Sequence, residues 1–318
     1  MNTKTLVLTV LLAFIAMNPL QAQTGLSGKI VYTLNGDLWL RSPVTVGPAG
    51  QTGDLQLTAT PNISEFQPRF SPDGNFIAAN ANGIRVLDLS GNIVATLSTS
   101  TFTGWPTWSA DGQWIVWMSF NKPKGIFVAR SNGSTTTPIQ LLDHGGFPVW
   151  SPVITVDSAG ALHTSIAFTS NKGIKPSDNE IWLMNVTITG SSVSVDAPGA
   201  KRVVTFSGND GDLDWQGPSP LLTFTHHTGT TYSHDIYTID LTACPCTGTA
   251  ATRLTQLTSA DVESRWSPDG TKLLFRRTTT GDSALEGLWV IDAFLGGGGS
   301  LPVQTQVIQG GGQADWGP

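Results

Sequence analysis

Short apolar runs separated by turn residues fill the chain from about residue 29 to its C-terminus. Three of them follow one hexapeptide pattern: Arg69-Phe70-Ser71-Pro72-Asp73-Gly74, Thr107-Trp108-Ser109-Ala110-Asp111-Gly112 and Arg265-Trp266-Ser267-Pro268-Asp269-Gly270. Each leads straight into an apolar strand, 75–79, 113–117 and 271–275. The Asp-Gly pairs read as tight hairpin turns, whose positive φ suits these residues. A second kind of run alternates apolar with small or polar residues, as a half-buried strand does. It recurs at 36–40, 83–89, 125–129, 180–184, 235–240 and 287–292. A third, short and β-branched, closes most repeats at 55–58, 93–97, 202–205 and 254–258.

Aligned on the aromatic residue before each turn, the repeats are anchored at Phe70, Trp108, Trp150, Trp215, Trp266 and Trp316, spaced by 38, 42, 65, 51 and 50 residues. A four-stranded unit repeated six times predicts an all-β, six-bladed β-propeller with four-stranded blades. The first repeat opens at Lys29-Ile30-Val31-Tyr32, already a second strand. The last anchor, Gln313-Ala314-Asp315-Trp316, has no strand after it. The C-terminal strand is therefore expected to become the innermost strand of blade 1, which leaves no open sheet edge at the junction. The segment 153–162 and the glycine run 296–299 read as loops.

Residues 1–22 carry Lys4, an apolar stretch from Leu6 to Met17 and Ala22, the pattern of a secretory leader. The expected mature chain, 23–318, is a single propeller domain, periplasmic or secreted. No later stretch is long and apolar enough for a membrane span. The formal charge is −6, and only 13% of residues are charged. Nucleic-acid binding needs Lys and Arg to neutralise phosphates, so this composition argues against such a partner. Export permits a disulfide between Cys244 and Cys246, which flank Pro245. A bridge across one residue, a pair of thiols at a hairpin tip and a metal site are the three readings, in which metal ranks last.

The aromatic-Ser-Pro-Asp-Gly pattern, followed by an apolar strand and an Ile/Leu-Tyr/Trp-Val-x-Asp strand, resembles the TolB-type propeller repeat family, WD40-like repeats with a Pro-Asp core. The resemblance covers about residues 28–318. The motif is full at Phe70, Trp108 and Trp266 and degenerate at Trp150, Trp215 and Trp316. It implies the propeller fold more than any activity, because the motif residues build turns and strands. The family includes a periplasmic component of the Tol–Pal envelope system that carries an extra N-terminal domain; the resemblance here is to the propeller part alone. Related propellers precede hydrolase domains, but no Gly-x-Ser-x-Gly nucleophile elbow occurs in this chain.

The innermost strands should line the channel through residues one and three before each anchor. Around the ring these are Gln67/Arg69, Trp105/Thr107, Phe147/Val149, Asp212/Asp214, Glu263/Arg265 and Gln313/Asp315. The expected site has an aromatic wall, Trp105 and Phe147, and an acidic wall, Asp212, Asp214, Glu263 and Asp315, with Arg69 and Arg265 among the carboxylates. Such a mixture suits a binding hot spot. The competing reading packs the aromatics between blades and pairs the carboxylates with Arg69 and Arg265. Asp210, Asp212 and Asp214 at alternate positions could supply oxygen ligands to Ca²⁺, but EF-hand spacing is absent and turn formation fits better. His144, His163, His226, His227 and His234 do not suggest the three or four convergent ligands a catalytic metal needs, and read as loop histidines. No resident cofactor, metal site or catalytic residue is therefore expected. The function expected is non-catalytic binding of a protein or peptide at the channel mouth. Two alternatives stand beside it. One is a glycan-binding or lyase-type propeller, favoured if His144, His226 and an inner carboxylate converge. The other is a self-assembling envelope or extracellular component.

Overall fold

The computed structural model describes residues 26–174, 178–227, 234–256, 259–279, 281–293 and 301–318. The expected leader, residues 1–22, and the glycine run 296–299 lie outside the described residues. Six four-stranded antiparallel units follow one another around a central axis. From inside to outside, blade 2 comprises Phe66–Phe70, Phe76–Asn80, Ile84–Asp88 and Ile93–Thr96. Blade 3 comprises Thr103–Trp108, Trp114–Ser119, Gly125–Arg130 and Ile139–Leu142. The inner strands of blades 4, 5 and 6 are Gly146–Trp150, Asn209–Trp215 and Ala260–Trp266. Their outer strands are Lys201–Thr205, Thr252–Arg253 and Gln304–Gln309.

Blade 1 closes the ring as its sequence demands. Ala314–Gly317 pairs antiparallel with Lys29–Leu34, placing Trp316 opposite Ile30 and Asp315 opposite Val31. Asp37–Arg41 and Leu55–Gln56 complete the blade.

The apolar residues form six clusters among the described residues, each at a junction between neighbouring blades. Trp114 and Val116 pack towards blade 4, whereas Ile115 and Trp117 pack towards blade 2. Both faces of these second strands are thus buried, which is why they read as continuous apolar runs rather than as alternating ones. Stability is spread over six sheet-on-sheet junctions instead of one core.

The hexapeptide turns are wider than the tight hairpins expected. Only the glycines, Gly74, Gly112 and Gly270, take positive φ, near 68–69°. The Ser71 hydroxyl accepts from Phe76 N–H at 2.9 Å and donates to Asp73 at 2.5 Å. Ser109 with Asp111, and Ser267 with Asp269, repeat that arrangement. The serine satisfies the first backbone donor of the next strand, and the aspartate holds the serine. The 153–162 segment is also more ordered than a loop: Thr155–Val156 pairs with Leu162 and His163 as a hairpin extension of blade 4.

In blades 1 and 5 the connection from third to fourth strand reaches the outer strand of the preceding blade. In blade 1 it is long, and Gly47–Pro48 adds a parallel strand to Gln304–Gln309 of blade 6. Buried Arg41 holds that loop. It pairs with Asp54 at 2.7 Å and donates to the carbonyls of Thr45, Pro48 and, across the junction, Val307. In blade 5 the Cys244–Cys246 disulfide is formed, and Cys246–Thr247 adds a parallel strand to Lys201–Thr205 of blade 4.

Candidate functional site

Five of the six inner strands break register at one place. Two residues stand opposite one between Phe66 and Arg69, Gly104 and Thr107, Gly146 and Val149, Gly211 and Asp214, and Val262 and Arg265. The first residue of each bulge, Gln67, Trp105, Phe147, Asp212 or Glu263, is left-handed, with φ between 48° and 57°. In three of the five the next residue is proline, Pro68, Pro106 or Pro148, which has no N–H to lose where the ladder is interrupted. A left-handed non-glycine residue costs about 1–2 kcal/mol. Five of them around one ring are a concentration of backbone strain of the kind found at binding and active sites.

The bulges sort the expected site residues into two layers of the channel. The upper layer, towards the starts of the inner strands, holds Gln67, Trp105, Phe147, Asp212, Glu263 and Gln313. The Trp105 indole N–H reaches across to Asp212 Oδ1 at 3.0 Å. Its ring stands edge-on to Phe147 at 4.6 Å and to Phe120 at 5.5 Å. Gln313 Oε1 accepts the bulged N–H of Gln67 at 3.0 Å, and Gln67 Oε1 accepts that of Trp105 at 2.9 Å. Glu263 takes Arg276 at 2.8 Å and the Gln313 amide at 2.5 Å. Burial, then the neighbouring Glu263, pushes the Asp212 carboxyl up to about 6.

The lower layer is a buried ion-pair lattice. Arg69 spans the channel to Asp214 at 2.8 Å and reaches Asp315 at 3.3 Å. Arg265 lies 3.9 Å from Asp315. The other oxygen of Asp315 accepts Phe70 N–H at 2.7 Å, and that of Asp214 accepts Trp266 N–H at 2.8 Å. Each of these carboxylates thus receives the anchor amide of the following blade, which accounts for the two Asp-Trp anchors. Burial raises Asp315, against the pull of Arg69. Burial lowers Arg265, and the like charge of Arg69 adds to it. This is the pairing of carboxylates with Arg69 and Arg265 that the sequence left as the competing reading. These four residues bind one another rather than presenting a free acidic wall.

Between the layers, a cavity bounded by Arg69, Trp105, Phe147 and Arg265 leaves about 10 Å³, room for about one water. The Trp105–Asp212 and Arg69–Asp214 contacts cross the channel here, so a ligand is expected at one of its mouths. The lower mouth is a pocket of about 390 Å³ lined by the anchors and floored by the ion pairs. The upper mouth carries aromatics that the sequence reading passed over. Phe66, Phe102 and Phe120 are 45%, 54% and 47% exposed. Phe120 N–H binds Phe102 O at 2.8 Å, so Phe102 stands next to Phe120, whose ring meets Trp105.

The three alternate aspartates take three different partners. Asp210 pairs with His226 at 2.8 Å, Asp212 receives Trp105, and Asp214 receives Arg69. They do not converge on one point, and no group of three or more His, Cys, Asp or Glu fit to hold a metal occurs among the described residues. His226 is not a loop residue. It is buried in the second strand of blade 5 and stacks on Phe206 at 3.8 Å. His144 lies against Phe168 and Trp182 in blade 4. The convergence of His144, His226 and an inner carboxylate that would favour a lyase is not formed.

No family model matches this chain, and no curated protein does. Solved structures do. TolB from Acinetobacter baumannii superposes with a TM-score of 0.60 at 16% identity, over 92% of this chain and 67% of that one. The fold is that of a TolB-like β-propeller. A chain from a nidogen/laminin complex shares it, with a TM-score of 0.53 at 14% identity over 83% of this chain and 89% of that one. So does an oligogalacturonate lyase in complex with manganese, with a TM-score of 0.50 at 15% identity over 86% and 70%. At these identities the likeness is one of fold, and the TolB-like ring is shared by chains with different roles. Among the described residues of this TolB-like propeller, no helix is long and apolar enough to cross a membrane.

Proposed function

We propose that this chain is an exported, non-catalytic binding module that takes a protein or peptide ligand at the upper channel mouth. The observation that carries the reading is exposed Phe120 against Trp105, with Phe102 paired to it by backbone, while Trp105 meets Phe147 and donates to Asp212. Exposed aromatics next to fixed polar groups are what hot spots use, and the strained bulges hold them in place. A periplasmic or extracellular setting is supported by the leader-like residues 1–22. The likeness to a chain from a nidogen/laminin complex supports the use of this fold for protein contacts.

The test is a pull-down from envelope extracts with wild type, Phe120→Ala and Trp105→Ala. Phe120 is 47% exposed, so its truncation should leave the melting temperature nearly unchanged. Partners captured by wild type should be lost from both variants. Identical partner sets for all three would remove the upper mouth as the binding site.

A further inference from the structure

The outer strands of the blades are not equally protected. Blades 6 and 4 have theirs covered by the parallel strands Gly47–Pro48 and Cys246–Thr247, and Val307, Ile308, Val203 and Val204 are buried there. On blade 3, the blade-4 hairpin strand Ser192–Val195 joins Ile139 and Leu141 in one apolar cluster. Blade 2 has no added strand along its outer edge. The blade-3 connection, 131–138, approaches it at Gly133, where an added methyl would stand 3.3 Å from Ala95 Cβ. The strand Ile93–Thr96 ends its sheet, and its Ile93 and Val94 are 48% and 51% exposed. It carries no charge and no proline, the usual devices that keep an edge from pairing.

Next to this edge lies a cleft of about 760 Å³ between blades 2 and 3. Phe76, Val86, Val94 and Trp108 form its apolar lining, and the exposed carboxylates Asp73 and Asp111 stand on its rim. Ser71 and Ser109 hold these carboxylates in place.

We propose that the edge of blade 2 is a second docking site, which takes an extended segment of a partner protein as an added strand. The chain's own segments on blades 4 and 6 show how an outer strand of this ring accepts one. The added main chain would bond to Ile93–Thr96, and every second side chain would enter the cleft. The lining calls for β-branched or aromatic side chains there. The two rim carboxylates call for a Lys or Arg beside them. This site is separate from the channel mouth and does not depend on it.

The test uses a random 12-residue peptide library displayed on phage and selected against the full-length mature chain. Selected peptides are then synthesised and titrated. The expected winners combine β-branched residues with a basic one. Their affinity should fall at least tenfold on Val94→Lys, with the melting temperature unchanged because Val94 is exposed. It should also fall on N-methylation of alternate peptide amides, and be unchanged on Trp105→Ala. Failure of any peptide to survive selection, binding indifferent to Val94→Lys, or binding lost on Trp105→Ala would each overturn the proposal.

Discussion

Asp210 and His226 form a buried pair whose chemistry is local but measurable. Burial pushes the Asp210 carboxyl up to about 7, with the His226 hydrogen bond acting against it. Its Oδ2 is buried without a hydrogen-bond partner. A carboxyl whose pKa is raised on folding binds more protons in the folded than in the unfolded chain between about pH 4 and 7. Its contribution is therefore fully present below the unfolded value and is lost as pH rises through the folded one. Asp210→Asn keeps the shape and an acceptor for His226 but cannot titrate. Urea unfolding should show stability falling between pH 4 and 7 less steeply in this variant than in wild type. Equal slopes would show that the Asp210 proton does not couple to folding. The sequence showed Asp210 only as one of three alternate aspartates. Its separation from Asp212 and Asp214 depends on His226 lying in the adjacent second strand, a register no local pattern discloses.

At the scale of the strand, the bulge is the feature that shapes the site. The alternation rule directs residues −1 and −3 from each anchor to the channel; Arg69, Asp214 and Asp315 meet across it, whereas Val149 packs in the apolar cluster between blades 4 and 5. The same rule did not foresee the two-for-one register that sets them in separate layers, nor the left-handed backbone at −3. The signal was present: Gln67-Pro68, Trp105-Pro106 and Phe147-Pro148 put proline into strands that must pair on one side. Phe102 and Phe120 escaped notice because they sit outside every repeat position, on the connections that vary between blades. The left-handed backbone makes a reversed substitution order the expected outcome. In an ordinary strand glycine is about 0.5–1 kcal/mol worse than alanine. At Gln67, φ 54°, Gln67→Gly and Gln67→Ala both lose the acceptor for Trp105 N–H. Gln67→Gly alone escapes the left-handed penalty, so it should be the more stable of the two by about 1 kcal/mol. Chemical denaturation of the pair checks this, and the ordinary order would mean that the bulge relaxes in solution.

For the whole molecule, the repeat spacing and the missing first anchor were enough to give the blade number and the way the ring closes, because both follow from counting strands. What could not be counted was the traffic across the channel. Residues 313–318 contribute to four separate ties. Ala314–Gly317 is the inner strand of blade 1, and Trp316 and Ala314 join the cluster shared with blade 6. Asp315 receives Arg69 and the Phe70 amide, and Gln313 links Glu263 to the Gln67 amide. Deleting the six residues opens one of the six junctions. It also leaves Arg69 and Arg265 in the lower layer with Asp214 as the remaining carboxylate. Breaking a buried ion pair by removing one partner typically costs about 3–5 kcal/mol by itself, comparable to much of a domain's net stability. The truncated chain should therefore lack the wild-type cooperative melting transition. Asp315→Asn separates the two causes. It keeps the strand and an acceptor for Phe70 but removes the charge, so it should fold and melt at a lower temperature than wild type. A truncated chain that melts like wild type would mean that the C-terminal strand does not close the ring. An Asp315→Asn variant as stable as wild type would confine the closure to strand pairing and apolar contact.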